Sequence, residues 1–340
     1  MNKKLMAVAV AGALAIPGMA FAQSSATLFG TIDLSLRNQS KVNDGAGGTS
    51  SVTDVASQDR TSNRWGIKGS EDLGGGLKAN FHLEAGYNSA DGSHSTGSWD
   101  RGSWLGLSSG GNSVELGYDY TTNFKVVGKY DPMSYTYTGI APAVAFTSGV
   151  RAHNMVQGAV NFNGVTLMAD YAFGTAVPGN SSANRHTAIG GYWSGNGLTI
   201  GAATATNNDA TNAGSRKDNT IGAAYNMNQF TFRAGYATVK YDAGYASAPY
   251  EKNRLVMLGV QYAFSDRVSG RLGYYDQKIT NVDGKAKTTM LAVDYSLSKA
   301  TTAYAELDHR SFSGSAVPAV AQGSLADGAT GIAAGIVHAF

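Results

Sequence analysis

Residues 331–340 constrain this chain more than any other stretch. Phe340, His338, Ile336, Ala334 and Ile332 fall on alternate positions, with Ala339, Val337, Gly335, Ala333 and Gly331 between them. One face is bulky and ends on an aromatic ring; the other is small. A repeat of two is the pattern of a β-strand. A strand so apolar invites aggregation at an open sheet edge, so it needs a partner on each side. Residues 27–37 supply the expected second partner, with Leu28, Ile32, Leu34 and Leu36 on one face and Thr31, Asp33, Ser35 and Arg37 on the other. Pairing an early strand with the last one closes a sheet into a cylinder.

The same alternation recurs along the chain in segments of about ten residues. Sixteen are expected, among them 27–37, 63–70, 77–87, 99–107, 113–120, 155–162 and 331–340. An even number suits an up-and-down cylinder with both termini on one side. Short turns are expected at 71–76, 108–112, 195–197, 265–267 and 298–300. They alternate with long polar connections at 38–62, 121–154, 175–185, 208–217, 242–253 and 312–329. Proline cannot donate to a sheet ladder. Pro132, Pro142, Pro178, Pro249 and Pro318 all fall in those long connections.

These strands keep charges on the smaller face, as Arg37, Lys78 and Glu84 show. A soluble sandwich would bury those charges at several kcal/mol each unless they were paired. A lipid-facing apolar side and a water-facing polar bore give every group a suitable solvent. Sixteen strands make a bore too wide for side chains to fill. Tyr118, Tyr120, Tyr236, Tyr241, Tyr262, Phe264, Tyr274, Tyr295 and Phe340 sit near strand ends, as aromatic belts at the two membrane interfaces would. The fold expected is all-β, a sixteen-stranded antiparallel transmembrane barrel.

The N-terminus reads as an export signal over 1–22, with Lys3 and Lys4 ahead of a short apolar run and Ala20-Phe21-Ala22 before the cut. Residues 23–340 would then form the barrel. Removing Lys3 and Lys4 takes 26 basic residues to 24, level with the 24 acidic ones. That balance removes the main support for a nucleic-acid partner. The chain has no cysteine, so an exported fold must hold by hydrogen bonding and packing. His82, His94, His153, His186, His309 and His338 lie in separate segments without metal-ligand spacing. No Gly-x-Ser-x-Gly elbow stands in a strand-to-helix context, and no helix follows the Gly74-Gly75-Gly76 run as a phosphate cradle requires. Asp44, Asp54 and Asp59 read as a solvated first loop rather than a cation site. Neither enzyme chemistry nor a cofactor is expected.

Several runs resemble one family. The stretch from Asn63-Arg64-Trp65-Gly66-Ile67-Lys68-Gly69 to Gly76-Leu77-Lys78-Ala79 is similar to the second strand and first turn of the general porins of β-proteobacteria. Arg101-Gly102-Ser103-Trp104-Leu105-Gly106-Leu107 resembles their fourth strand, and Arg151-Ala152-His153-Asn154 the start of their sixth. Tyr295-Ser296-Leu297-Ser298-Lys299 resembles their last periplasmic turn, and 331–340 their closing strand. The resemblance implies a Gram-negative outer-membrane homotrimer that passes small hydrophilic solutes and ions. It implies surrounding outer-membrane lipids and lipopolysaccharide, and insertion by the barrel-assembly machinery, with Phe340 as the assembly signal. It also implies a third loop folded inward to a constriction lined by Arg64, Arg101 and Arg151. Lys68 shares the Arg64 face, opposite Trp65 and Ile67, and Arg101 is placed opposite Trp104. Asp131 is the expected counter-charge on the loop. Tyr118 and Glu115 stand where the family carries basic residues. The function expected is a general diffusion channel with mild anion preference. A substrate-selective channel using Tyr135 and Tyr137, or a plugged barrel acting as adhesin or enzyme, are the alternatives.

Overall fold

The computed structural model describes residues 24–94, 97–137, 140–174, 181–245, 251–280, 282–315 and 324–340. The expected signal at 1–22 lies outside them, as do Pro178, Pro249 and Pro318. Strands β1 (Ser25–Asn43), β2 (Thr49–Ser57), β3 (Arg64–Gly74), β4 (Leu77–Gly86), β5 (Gly102–Ser109) and β6 (Asn112–Tyr120) come first. A long inward loop with two short helices, α1 (Thr122–Val127) and α2 (Ala141–Val144), follows. The wall continues with β7 (Arg151–Phe162), β8 (Val165–Ala172), β9 (His186–Gly195), β10 (Leu198–Asn208), β11 (Ser215–Met227) and β12 (Phe230–Tyr241). It ends with β13 (Lys252–Ala263), β14 (Val268–Thr280), β15 (Gly284–Ser296), β16 (Thr301–Gly314) and β17 (Ala329–Ala339).

From β3 onward each strand pairs antiparallel with the next. The ends then meet: β1 pairs with β17 from Thr31↔Ala339 to Gln39↔Gly331. Phe340 extends the seam, exchanging backbone hydrogen bonds with Gly30 at 3.0 and 3.1 Å. This is the closure the sequence called for. It satisfies the backbone of both terminal strands, which lipid cannot do.

Seventeen strands make sixteen staves because β2 and β3 share one edge of β1. The lower part of β1 pairs with β3, from Ser25↔Ser70 to Thr31↔Arg64. The upper part pairs with β2, from Leu34↔Ser57 to Asn43↔Thr49. The connection expected at 38–62 is therefore mostly a tall hairpin. Between β2 and β3 the chain turns into the bore. Asp33 holds it there, accepting from the Arg60 amide at 2.8 Å and the Thr61 amide at 2.7 Å. Asp59 is buried with it and accepts from Ser35, so it is no solvated loop residue.

The alternation resolves as read. On β15, Ala286, Thr288, Met290, Ala292 and Asp294 point inward and are buried, while Leu291, Val293 and Tyr295 stand outside. Leu28, Leu36 and Ile189 are 60 to 62% exposed, and Leu105, Leu258 and Ile332 join them around the wall. Apolar side chains this bare, on nearly every stave, need hydrocarbon around them. Tyr236, Phe264, Tyr295 and Phe340 are exposed members of the expected belts. Tyr120 and Tyr241 are not, since Tyr120 stacks on the inward loop's Phe124 and Tyr241 packs against the core beneath that loop.

The seam yields a first prediction. A Cβ on Gly30 would fall 2.2 Å from the Phe340 ring. Gly30→Val should destabilise closure by about 1–3 kcal/mol, the usual cost of overpacking. Urea unfolding in detergent, read by the gel-mobility difference between closed and open barrels, measures it. Combining Gly30→Val with Phe340→Ala should return part of the loss; no recovery would mean the ring is not the obstacle.

Candidate pore constriction

The inward loop divides the bore into a packed side and a basic side. Thr121 caps α1, accepting from the Phe124 amide and donating to the Gly149 carbonyl at 2.8 Å. Asp170 on β8 receives the Thr122 amide at 2.6 Å and fixes the loop's root. Helix α1 then lies against β9 and β10, and α2 against β13 and β14. Val126, Val127, Tyr130, Met133 and Phe146 meet Leu255, Met257, Tyr275 and Met290 of the wall in one buried apolar cluster. The loop's far end is clamped as well. Tyr137 donates its amide to the Arg60 carbonyl at 2.8 Å and its hydroxyl to Asp294 at 2.8 Å. Tyr135 stacks on Phe124 at 4.3 Å. Both tyrosines thus serve the loop's own packing.

A path of glycines allows this contact. Gly222 and Gly235 lie opposite one another on β11 and β12, as do Gly259 and Gly273 on β13 and β14. A Cβ at Gly222 would sit 2.2 Å from Tyr130, one at Gly259 2.6 Å from Pro132, and one at Gly273 2.7 Å from Met133. Sequence reading missed this role. The available signal was the glycine on adjacent strands at matching height, which becomes visible only once register is known.

The opposite side, β3 to β7, carries the cations. Arg64, Lys68, Arg101 and Arg151 all reach the bore there. Arg101 stands just before β5 and donates to Glu84 at 2.6 Å. Glu84 also lies 3.3 Å from His82. Arg151 sits 4.0 Å from the Tyr120 ring centroid, and Tyr120 stacks in turn on Phe124 at 4.7 Å. A ladder of rings thereby joins the basic wall to the loop. Arg64 donates to the Ser62 carbonyl at 3.0 Å, and the Lys68 ammonium lies 5.2 Å from the Phe29 ring. Trp104 departs from the expectation. Its ring stacks on His82 at 5.7 Å and therefore faces the bore with Lys68 and Glu84. Arg101 reaches the same side because it precedes the regular strand, where alternation does not yet apply.

Asp131 also departs from the expectation. It is fully buried between loop and wall, where the nearby cation it feels is Arg233 of β12 rather than the expected Arg64, Arg101 and Arg151. It accepts from the Met133 amide at 3.1 Å, the Tyr135 amide at 2.9 Å and the Tyr275 hydroxyl at 2.9 Å. Burial pushes its carboxyl up to about 6 against the pull of those donors. The loop's other charged groups are cations. Lys125 pairs with Asp119 at 2.8 Å, and the Lys129 ammonium lies 4.4 Å from the Tyr192 ring. Asp294 is engaged by Arg60 at 2.6 Å and Arg271 at 3.5 Å. Of the bore-facing cations on the β3 to β7 side, Arg64, Lys68 and Arg151 have no ion-pair partner among the described residues. The free charge of the constriction is positive.

A closed lipid-facing barrel with a wet bore narrowed by an inward loop is a pore-forming outer-membrane protein. The chain belongs to the Gram-negative porin family, whose model matches residues 7–315. It is 31% identical to outer membrane porin protein 32 of Delftia acidovorans over the whole of both chains. The solved anion-selective porin of Comamonas acidovorans superposes with a TM-score of 0.79 at 26% identity, covering 94% of this chain and all of that one. A trimer form of OmpT from Vibrio cholerae shares the fold at 14% identity and a TM-score of 0.66, covering 93% of this chain and 99% of that one. The protein is a diffusion channel of the Gram-negative outer membrane.

Two predictions follow from the packed side. The folded value of Asp131 stands above its ordinary one near 3.8, so the protonated form fits the packed loop better. Its contribution is full below about pH 4 and is lost as pH rises through about 6. Amide exchange at Met133 and Tyr135, corrected for intrinsic rate, should show protection falling between those values. Asp131→Asn should flatten the profile, whereas a flat wild-type profile would contradict the assignment. Separately, Gly222→Val should push Tyr130 off the wall at a cost of about 1–3 kcal/mol of loop packing. Single-channel current should become noisier; a trace like the wild type would count against the glycine path.

Proposed function

We propose that this channel prefers anions, works as a homotrimer, and passes small hydrophilic solutes and ions down their gradients without turnover or cofactor. The observation that carries the preference is the unmatched positive charge of Arg64, Lys68 and Arg151, set against a loop whose acid, Asp131, is buried within the field of Arg233 instead. A row of fixed charge in a narrow bore raises the local concentration of the opposite ion. Arg101 adds to the wall while spending part of its charge on Glu84. The name of the solved Comamonas acidovorans relative, an anion-selective porin, supports the same reading. The trimer form of the Vibrio cholerae protein supports the assembly. Outer-membrane lipids and lipopolysaccharide would surround the trimer. The exposed ring of Phe340 would serve the barrel-assembly machinery as its signal.

Reversal potential across a planar bilayer under a salt gradient tests the preference. The wild type should give an anion-ward potential. Arg64→Gln with Arg151→Gln should lower the anion-to-cation permeability ratio by about two- to tenfold. The preference should also fade as salt rises from about 0.1 to about 1 M, because the screening length contracts from about 10 to about 3 Å. A cation-ward potential in the wild type would end the preference and leave the pore intact.

A further inference from the structure

We propose that the wall of the bore over β3–β6 carries a binding site for a neutral sugar ring of monosaccharide size. The proposal rests on the reading of the chain as an open diffusion channel and names a class of solute that the channel would hold on its way through.

Register brings the lining together. Lys68, His82 and Trp104 lie directly opposite one another at one height across β3, β4 and β5, all turned into the bore. One step nearer the short turns, Ser70 faces Asn80, and Gly106 separates Asn80 from Glu115 on β6. A further step on, Ser108 faces Ser113. Because Gly106 has no side chain, the wall is hollow between Asn80 and Glu115. The hollow measures about 420 Å³, with the rings on one border and the serines on the other. Small-molecule sites run from about 300 to about 1,000 Å³. Arg64 stands about 13 Å from Lys68 along β3, so the hollow lies to the short-turn side of the constriction.

The chemistry of the lining selects the class of ligand. The indole of Trp104 and the imidazole of His82 stack 5.7 Å apart and 10° from parallel, and Phe29 continues the cluster 5.3 Å from His82. An aromatic face is electron-rich and attracts weakly positive C–H groups. Below the rings, Asn80 Nδ2 donates to Ser108 Oγ at 2.9 Å. That bond uses one of two amide N–H groups and one lone pair of the hydroxyl, so each side chain keeps a donor and an acceptor to offer. Donors and acceptors at the edge and an aromatic ring at the face match a sugar, whose hydroxyls do both and whose C–H groups line its faces. The hollow is also electrically balanced. Glu115 and Asp119 share Lys125 at 3.7 and 2.8 Å. Two carboxylates against one ammonium leave one negative charge, set across the hollow from the positive Lys68. An inorganic anion gains little from such an arrangement, and a neutral solute is opposed by neither charge. Conduction also requires that a solute be held weakly enough to leave. One ring contact with a few hydrogen bonds on an open wall meets that condition.

Block of ionic current in a planar bilayer tests the site, with glucose as the probe and sorbitol, its open-chain counterpart, as the control. In the wild type glucose should lower single-channel current to a plateau, and do so at about three- to tenfold lower concentration than sorbitol, the discrimination expected of one aromatic contact. Trp104→Ala should remove that margin while the reversal potential stays as in the wild type, and Trp104→Phe should keep part of it. Asn80→Leu fills the hollow and leaves both rings in place, so it should remove the margin as well; it decides the matter if Trp104→Ala does not fold. Arg64→Gln should shift the reversal potential and leave the glucose block alone, which separates this site from the charge preference. Equal block by glucose and sorbitol in a conducting wild type overturns the sugar site and leaves the channel standing. Absence of ionic current would overturn both. Benzoate that blocks at lower concentration than glucose, and loses that advantage in Lys68→Gln, would assign the hollow to an aromatic anion and overturn the sugar.

Discussion

Everything in this molecule depends on the pairing of β1 with β17. Hydrocarbon offers no partner to a backbone N–H or C=O, so a sheet in a membrane has to close on itself. Closure fixes the register at one seam, and register then decides which residue of each strand meets lipid. The terminal Phe340 completes the seam against Gly30. A few residues above, Asp33 uses the same stave to hold the inward segment between β2 and β3. That segment in turn grips the tip of the long loop through Arg60 and Tyr137. One backbone requirement therefore reaches the constriction through a short chain of contacts.

The constriction arises from an uneven filling of the bore. Sixteen staves leave room for water, and the loop takes part of that room by building an apolar core against wall residues from Met168 on β8 to Tyr304 on β16. The glycines beneath it bring backbone and loop side chains into contact, and the side chains between them are buried. The opposing staves keep half-exposed arginines that no loop carboxylate neutralises. Charge selection and loop packing are thus two aspects of one arrangement. Burying Asp131 anchors the loop and at the same time withdraws the negative charge that would have balanced the wall.

The fold was largely legible because its rule is local. A period of two needs no knowledge of the partner strand, and it puts Leu28, Leu36 and Ile332 on the outside, where they stand. The rule failed where the backbone left the regular ladder. Arg101 precedes β5, and its parity relative to Trp104 was read as if the strand had begun. The upper hairpin of β1 and β2 reads as a polar connection in the sequence because Val52 and Val55 are thinly spread among serine, threonine and aspartate. For the site, motif and face point to Arg64, Lys68, Arg101 and Arg151, whose part in charge selection is the proposal made above. The glycine path and the fate of Asp131 are not legible there, since both depend on contacts between residues far apart in the chain, as Tyr275 and Asp131 are.

Sequence alone determined most of the strands, their lipid and water faces, and the need to close. These follow from solvent preference, which each side chain expresses by itself. Only the tertiary structure decided where the loop would lie, which acids would be spent on partners, and which cations would be left free. Those outcomes are differences between competing contacts, and a contact has no existence until register has brought its two halves together.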